Sequence, residues 1–233
     1  MAEERQETFE DFRRSFNYGT RTDLLFKVLG GRILSDKDVG EFFRGLLEKL
    51  GDAFDTGDYE AVRDHCFRWQ VNGYTPREGT TPQFQYDTAP WAPLAKRLNQ
   101  VRLTLVSTGG LFVEGHDPLG PSGPTQEEAV LRIQEFLRGD PALATIPRNV
   151  PTHLLRVRHP GYDIRGAQRD YNVVFPLDHL KALQVEGVIG QLADEMYSFV
   201  GATSQLRLLA EHAPKWARHL KDQGVDAALL VAA

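Results

Sequence analysis

Cysteine is almost absent from this chain. Cys66 is the only one in 233 residues, which excludes an internal disulfide framework and a cysteine-based zinc site within one chain. It sits in Val62-Arg63-Asp64-His65-Cys66-Phe67-Arg68-Trp69, at helical spacing with Val62 and Trp69. Two readings stand: a small buried hydrophobe, or a thiol activated by His65. Helix geometry opposes the second, because sequence neighbours on a helix point about 100° apart. Long apolar runs are also missing, and none approaches the ~18 residues needed to span a bilayer. The stretch from Met1 to Glu7 is polar and charged, without the apolar region of a signal peptide, so a cytoplasmic location is expected and no membrane partner. Basic runs interleaved with aromatics are lacking, and the formal net charge is −5. Nucleic acid is therefore not expected as a partner. There is no G-x-G-x-x-G fingerprint, so a dinucleotide is not indicated. No Ser-His-Asp triad can be assembled, and there is no internal repeat or low-complexity tract.

What remains is an ordinary globular composition, 41% hydrophobic and 25% charged. Residues 1–75 read as a helical subdomain. Ser35-Asp36-Lys37-Asp38 has the form of a capping box. Val39, Phe42, Phe43, Leu46, Leu47 and Leu50 follow at helical spacing up to Gly51. A further helix is expected from Asp58, with Tyr59, Val62, Cys66 and Trp69 on one face, and an earlier one over Thr22 to Leu29. Residues 76–100, punctuated by glycine and proline, read as a linker or arm that Trp91 and Leu94 anchor. Residues 101–233 read as an α/β domain. Strands are expected at Val101 to Ser107, His153 to Val157, Met196 to Gly201 and Ala227 to Val231. Helices are expected from the Thr125-Gln126-Glu127-Glu128 capping box to about Leu137, from Pro176, and over Ser204 to His212 and Pro214 to Gln223. The expected fold class is α/β: a doubly wound, mostly parallel sheet, incomplete at its C-terminal end, with an N-terminal helical subdomain.

In open α/β sheets the ligand site lies beyond the carboxyl ends of the strands, and three candidate stretches fall there. The first is Ser107-Thr108-Gly109-Gly110, with Glu114 and His116 shortly after. Small residues at a strand end let backbone N–H groups approach an anion; the alternative is a turn that needs glycine for backbone freedom. The second is the loop Arg158-His159-Pro160-Gly161-Tyr162-Asp163-Ile164-Arg165-Gly166, running on to Asp170-Tyr171-Asn172. His159 suits proton transfer near neutral pH, and Arg165 suits bidentate binding of a carboxylate. A solvated loop held by Asx turns is the alternative. A metal site from His116, His159 and Asp163 has no diagnostic spacing, so no metal is expected. The third is Gly201-Ala202-Thr203-Ser204-Gln205, where Thr203 or Ser204 caps the next helix. The substrate-binding candidates are therefore Gly109, Gly110, Glu114, His116, His159, Tyr162, Asp163, Arg165 and Asn172. None of these stretches contains an evident nucleophile.

Residues 101–233 resemble the selenoprotein B family of the glycine, sarcosine, betaine and D-proline reductases. The likeness is carried by Val101 to Gly110, His159-Pro160-Gly161-Tyr162-Asp163, Asp170 to Asp178 with its Asn172-Val173-Val174-Phe175-Pro176 segment, Glu186-Gly187-Val188-Ile189-Gly190, and Gly224 to Leu230. Residues 1–100 resemble the N-terminal extension of longer members and carry no mechanism over. The resemblance implies a selenol- or thiol-dependent reductase subunit that cleaves a C–N bond with electrons from a thiol donor. It also implies a small-molecule substrate, an amino acid or derivative, and a partner subunit or homo-oligomer. In the family a selenocysteine or cysteine follows the strand that corresponds to Ala227–Ala233, so no catalytic residue and no cofactor is expected within these residues. A pyruvoyl group is implied on another subunit. Because UGA encodes both selenocysteine and stop, the expectation is a reading frame ended at a UGA that is otherwise read through. A non-catalytic binding protein that retained the fold is the alternative, as is an enzyme of another class using His159 and Asp163 as acid and base.

Overall fold

The computed structural model describes residues 6–18, 20–21, 26–31, 34–75, 79 and 92–233. The chain divides into two compact units, Met1–Pro90 and Trp91–Ala233.

The first unit contains α1 (Phe9–Tyr18), α2 (Asp36–Thr56), α3 (Glu60–Tyr74) and a 3-10 turn over Lys27–Gly30. The capping box forms as expected: the Ser35 hydroxyl accepts from the Asp38 amide, and the Asp38 carboxylate accepts from the Ser35 amide. Helix α2 does not stop at Gly51. It runs on to Thr56, and Gly57, at φ 75°, ends it in the left-handed conformation. Of the helix expected over Thr22 to Leu29, residues 22–25 lie outside the described residues, and the rest enters the 3-10 turn. Phe16, Val28, Leu29, Leu34, Val39 and Phe42 form the core, with Cys66 and Trp69 packed against it. Tyr59 precedes α3 and is 52% exposed. The buried positions on α3 are instead Gly73 and His65, and the His65 ring stacks on Phe42 at 5.5 Å. Its Nε2 bonds the Phe42 carbonyl at 2.9 Å, so the ring is committed to the core. Burial pushes the Cys66 thiol up from its ordinary value. The small-hydrophobe reading of Cys66 therefore holds.

The second unit is the α/β one. Its elements are β1 (Arg102–Ser107), β2 (Leu111–Val113), α4 (Gln126–Leu131), α5 (Ile133–Arg138), β3 (Ala144–Pro147), β4 (Leu155–Val157), α6 (Arg165–Arg169), α7 (Leu177–Val185), β5 (Gln191–Leu192), β6 (Glu195–Ser198), α8 (Gln205–Arg207), α9 (Ala213–Asp222) and β7 (Ala227–Val231). Strand β1 is central. It pairs in parallel with β5 and β6 along one side and with β7 along the other, while β3 adds antiparallel to β6. The sheet is mostly parallel, as expected. Alternating β6 side chains serve the two faces. Met196 joins Leu103, Leu105, Phe175, Leu177 and Leu180 in the main core under α7. Tyr197 and Phe199 meet His219 and Trp216 of α9 on the opposite face. Leu94, assigned to anchoring, is 45% exposed.

Several features of this unit differ from the sequence expectation. The strand expected at His153 to Val157 begins with a 3-10 turn, and its remainder, β4, leaves the sheet to pair antiparallel with β2. Strand β3 was not expected. Its buried positions are Ala144 and Ile146, and its exposed ones are Thr145 and Pro147. Pro147 is tolerated because the strand forms an edge. The Thr125 capping box is present, but the helix it opens breaks at Arg132 (φ −98°, ψ 18°) into α4 and α5. Between α8 and α9 lies a π-helical turn, Leu208–His212. Pro214 follows in the first turn of α9; it has no N–H to give to the preceding turn, and a widened turn accommodates that loss.

Candidate functional site at the carboxyl edge of the sheet

The carboxyl ends of β1, β6 and β7 draw three segments together: Thr108–Gly110, Arg158–Tyr162 and Gly201–Thr203. Thr108 ties β1 to the end of β7 and to the Gly201 segment. Its N–H donates to the Val231 carbonyl at 2.9 Å and its carbonyl accepts from Gly201 N–H at 3.0 Å. Its hydroxyl accepts from Ala233 N–H at 2.8 Å. A Cβ on Gly201 would stand 2.9 Å from Thr108 Cβ, so only glycine fits that approach. Ser107 is fully buried and donates its hydroxyl to the Val174 carbonyl at 2.6 Å.

The glycine pair is used by the fold itself. Gly109 N–H donates to the Ser107 hydroxyl at 2.9 Å, and Gly110 N–H donates to the Phe199 carbonyl at 3.0 Å. These amides are engaged and do not form an open anion cradle. Gly110 takes φ 72°, and a Cβ there would lie 2.2 Å from the Arg158 carbonyl oxygen. The turn reading of Gly109 and Gly110 is the one this geometry follows.

His159 and Tyr162 reach the same edge. His159 is 3% exposed and its ring lies 4.7 Å from that of Tyr162. Gly161 N–H donates to His159 Nδ1 at 2.8 Å, so Nδ1 is the acceptor and the neutral ring carries its proton on Nε2. The Tyr162 hydroxyl donates to the Gly109 carbonyl at 2.9 Å. Burial pushes its pKa up to about 12, so it is a neutral donor across the physiological range.

The other candidates are placed elsewhere. Glu114 pairs with Arg156 at 2.7 Å, and His116 Nδ1 faces the Glu114 carbonyl at 3.3 Å. Both are exposed beyond the far end of β2, about 13 Å along the strand from Gly110. Asp163 is ion-paired with Arg165 through bonds at 2.8 and 2.9 Å to its Nε. That bonding holds the Asp163 carboxyl below the usual range, so Asp163 stays ionised and does not serve as a general acid near neutral pH. Arg165 is occupied by the same pair. Asn172 belongs to the entry of α7. Its amide donates to Asp170 and Asp178, and its carbonyl accepts from Asp178 N–H at 3.1 Å. This part of the loop is the Asx-turned network of the second reading. Among the described residues no group of three His, Cys, Asp or Glu is placed to hold a metal ion.

Residues outside the substrate-binding candidates do much of the positioning. Arg158 is 4% exposed and meets Asp117 in a two-pronged pair at 2.5 and 2.8 Å. It also donates to the Pro124 carbonyl at 3.0 Å, and its guanidinium lies 5.0 Å from the centre of the Phe112 ring. Burial raises the Asp117 carboxyl, but the Arg158 hydrogen bonds, the Leu119 N–H and the Arg158 charge together outweigh it and the net shift is downward. Gln126 grips His159 from both sides: its amide donates to the His159 carbonyl at 3.0 Å, and its oxygen accepts His159 N–H at 2.9 Å. The sequence holds no signal for either contact, since both join residues more than thirty positions apart. Beside them, Leu111, Phe112, Phe136, Phe199 and Arg158 line a small hollow of about 30 Å³, room for one water molecule.

The comparisons find relatives of this chain among subunits of reductase complexes. Residues 142–233 match the family described as Glycine/sarcosine/betaine reductase selenoprotein B (GRDB), and the resemblance drawn from the sequence is borne out. The chain is 31% identical over 143 residues to the D-proline reductase subunit gamma of Acetoanaerobium sticklandii, covering 61% of this chain and 52% of the relative. It is 36% identical over 201 residues to the betaine reductase complex component B subunit beta of Peptoclostridium acidaminophilum, covering 78% and 43%. It is 30% identical over 149 residues to the glycine reductase complex component B subunit gamma of Symbiobacterium thermophilum, covering 64% and 32%. The chain thus spans between about a third and a half of the length of these curated relatives. No solved structure matches it significantly. No helix among the described residues is long and apolar enough to cross a membrane.

Proposed function

We propose that the Trp91–Ala233 unit is the part of a selenol- or thiol-dependent reductase subunit that builds the crevice for a redox-active chalcogen carried outside these 233 residues. One observation carries this reading: the carboxyl end of β7 is gripped by Thr108, which also holds the Gly201 loop, while the neighbouring Gly109 and Gly110 hold the His159 loop through Tyr162 and Arg158. A residue that follows β7 then emerges among these loops. The polar groups of the edge are largely bonded to one another, which suits a rigid frame better than a self-contained catalytic site. The subunit works in a complex, on a small molecule that is an amino acid or derivative, and takes electrons from a thiol donor in the cytoplasm. A pyruvoyl group, if one takes part, belongs to another subunit. Sequencing the message beyond codon 233 tests the reading. An in-frame UGA followed by a family-like frame is expected, with selenium incorporated into the native product. A different stop codon, or no such frame beyond it, refutes it in favour of a non-catalytic member of the fold.

A further inference from the structure

The strongest unassigned feature is the double grip of one side chain on the His159 backbone. We infer that Gln126 is a positioning residue that sets which nitrogen of His159 carries the proton. The inference rests on the reading that the carboxyl edge of the sheet is the working end.

The geometry is closed on three sides. Gln126 sits in the first turn of α4, whose start is fixed by the Thr125–Glu128 capping box. From there its amide group meets both backbone polar groups of His159, at 3.0 and 2.9 Å. Only a primary amide both donates and accepts in this way; a carboxylate accepts alone and an ammonium donates alone. The residue before His159 is held independently. Arg158 N–H donates to the Gly110 carbonyl at 3.0 Å, and its side chain is locked to Asp117. With the backbone fixed on both sides, the chain turns so that Gly161 N–H points at Nδ1 from 2.8 Å. Residue 161 has to be glycine there, since a Cβ would stand 2.6 Å from His159 Cε1.

The consequence is chemical. An amide proton held against Nδ1 excludes a proton on that nitrogen, so the neutral ring presents N–H at Nε2 and has no free basic nitrogen. His159 then carries its proton on the buried Nε2 and is an N–H donor within the edge, not a general base. Gln126 preserves this state without reaching the edge itself.

Imidazole nitrogen NMR on the full chain labelled with 15N-histidine reads the state directly, with His159→Gln identifying the signal. In the wild type we expect one neutral tautomer, protonated at Nε2, and a coupling between Gly161 N–H and Nδ1. Gln126→Met keeps the volume and removes both bonds. It should leave the thermal midpoint within a few degrees yet give a tautomer mixture, a lost coupling and at least tenfold faster modification by diethylpyrocarbonate. Gln126→Glu keeps one bond and should fall between the two. A wild-type ring protonated at Nδ1, or a Gln126→Met protein that retains the single tautomer and the wild-type reactivity, overturns the inference. No turnover is measured, so failure here is distinct from failure of the redox reading, which the downstream message decides.

Discussion

Removing the Asp117 carboxylate while leaving Arg158 in place gives the most demanding test of the site's construction. In Asp117→Asn the guanidinium, 4% exposed, loses its counter-charge and one of the two acceptor oxygens of its pair, and keeps the Pro124 carbonyl and the Phe112 face. Stranding one member of a buried ion pair typically costs 3–5 kcal/mol. The Asp117 side chain retains 17% of its exposure, so the lower end, about 3 kcal/mol, is expected. At roughly 2–4 °C per kcal/mol for a domain of this size, the midpoint should fall by about 6–12 °C. The pH dependence has a definite sign. The Asp117 carboxyl is lowered in the fold, so its contribution is fully present above the ordinary carboxylate value near 3.9 and is lost as pH falls through the lowered folded value. Between pH 5 and 8 the difference between wild type and variant should therefore be flat, and it should close only in acid. The double variant Asp117→Leu/Arg158→Met replaces the pair with apolar groups and should recover most of the loss. Hydrogen exchange at the buried Leu103 and Leu105 amides confines the measurement to the second unit. A loss below about 1 kcal/mol, or a double variant worse than Asp117→Asn, would refute the reasoning.

Other outcomes follow from single contacts. Gly110→Ala combines a left-handed backbone with a Cβ 2.2 Å from the Arg158 carbonyl, and should cost at least about 2 kcal/mol by denaturant titration; a neutral effect would contradict the close approach. Tyr162→Phe removes the bond to Gly109 and should cost about 1 kcal/mol. In the wild type the Tyr162 phenol should stay un-ionised until about pH 12 by ultraviolet titration, and ionisation near 10 would refute its burial. Thr108→Val should speed exchange at the Ala233 amide, and Thr108→Ser should restore protection because it keeps the hydroxyl acceptor; equal rates in the two variants would argue against the tie. Cys66, raised by burial, should react with a disulfide reagent well below the rate of free cysteine until the first unit unfolds.

The elements with strong local codes were legible in the sequence. The Ser35 and Thr125 capping boxes opened the helices they announced, and the apolar runs at 102–107 and 227–231 formed paired parallel strands. The carboxyl edge followed from topology, and with it the meeting of Gly109, Gly110, His159 and Tyr162. What stayed hidden depends on distant partners. Nothing local marks Gln126 as more than the residue after a cap, or Asp117 as the counter-charge of Arg158. The reverse error has the same cause: Glu114, His116 and Asn172 have suitable chemistry and sequence proximity, but strand direction and the entry to α7 carry them away from the edge. Strand β3 is only four residues long with a terminal proline, too short for its periodicity to stand out.

The pairing along β1 has one irregularity. Arg102 and Leu103 stand opposite Gln191 and Leu192, whereas Val106 and Ser107 stand opposite Tyr197 and Ser198. Four residues of β1 are thus matched by six of the neighbouring chain, and the surplus loops out around Asp194, where Arg102 and Arg148 hold its carboxylate. An even surplus keeps every later side chain on its own face, so Tyr197 and Phe199 still point at α9. It also shortens the reach of all that follows: without the slack, Gly201 would lie about 6–7 Å farther out, beyond the grasp of Thr108. Two looped residues at the amino end of the strand thereby decide how tightly the opposite end is closed.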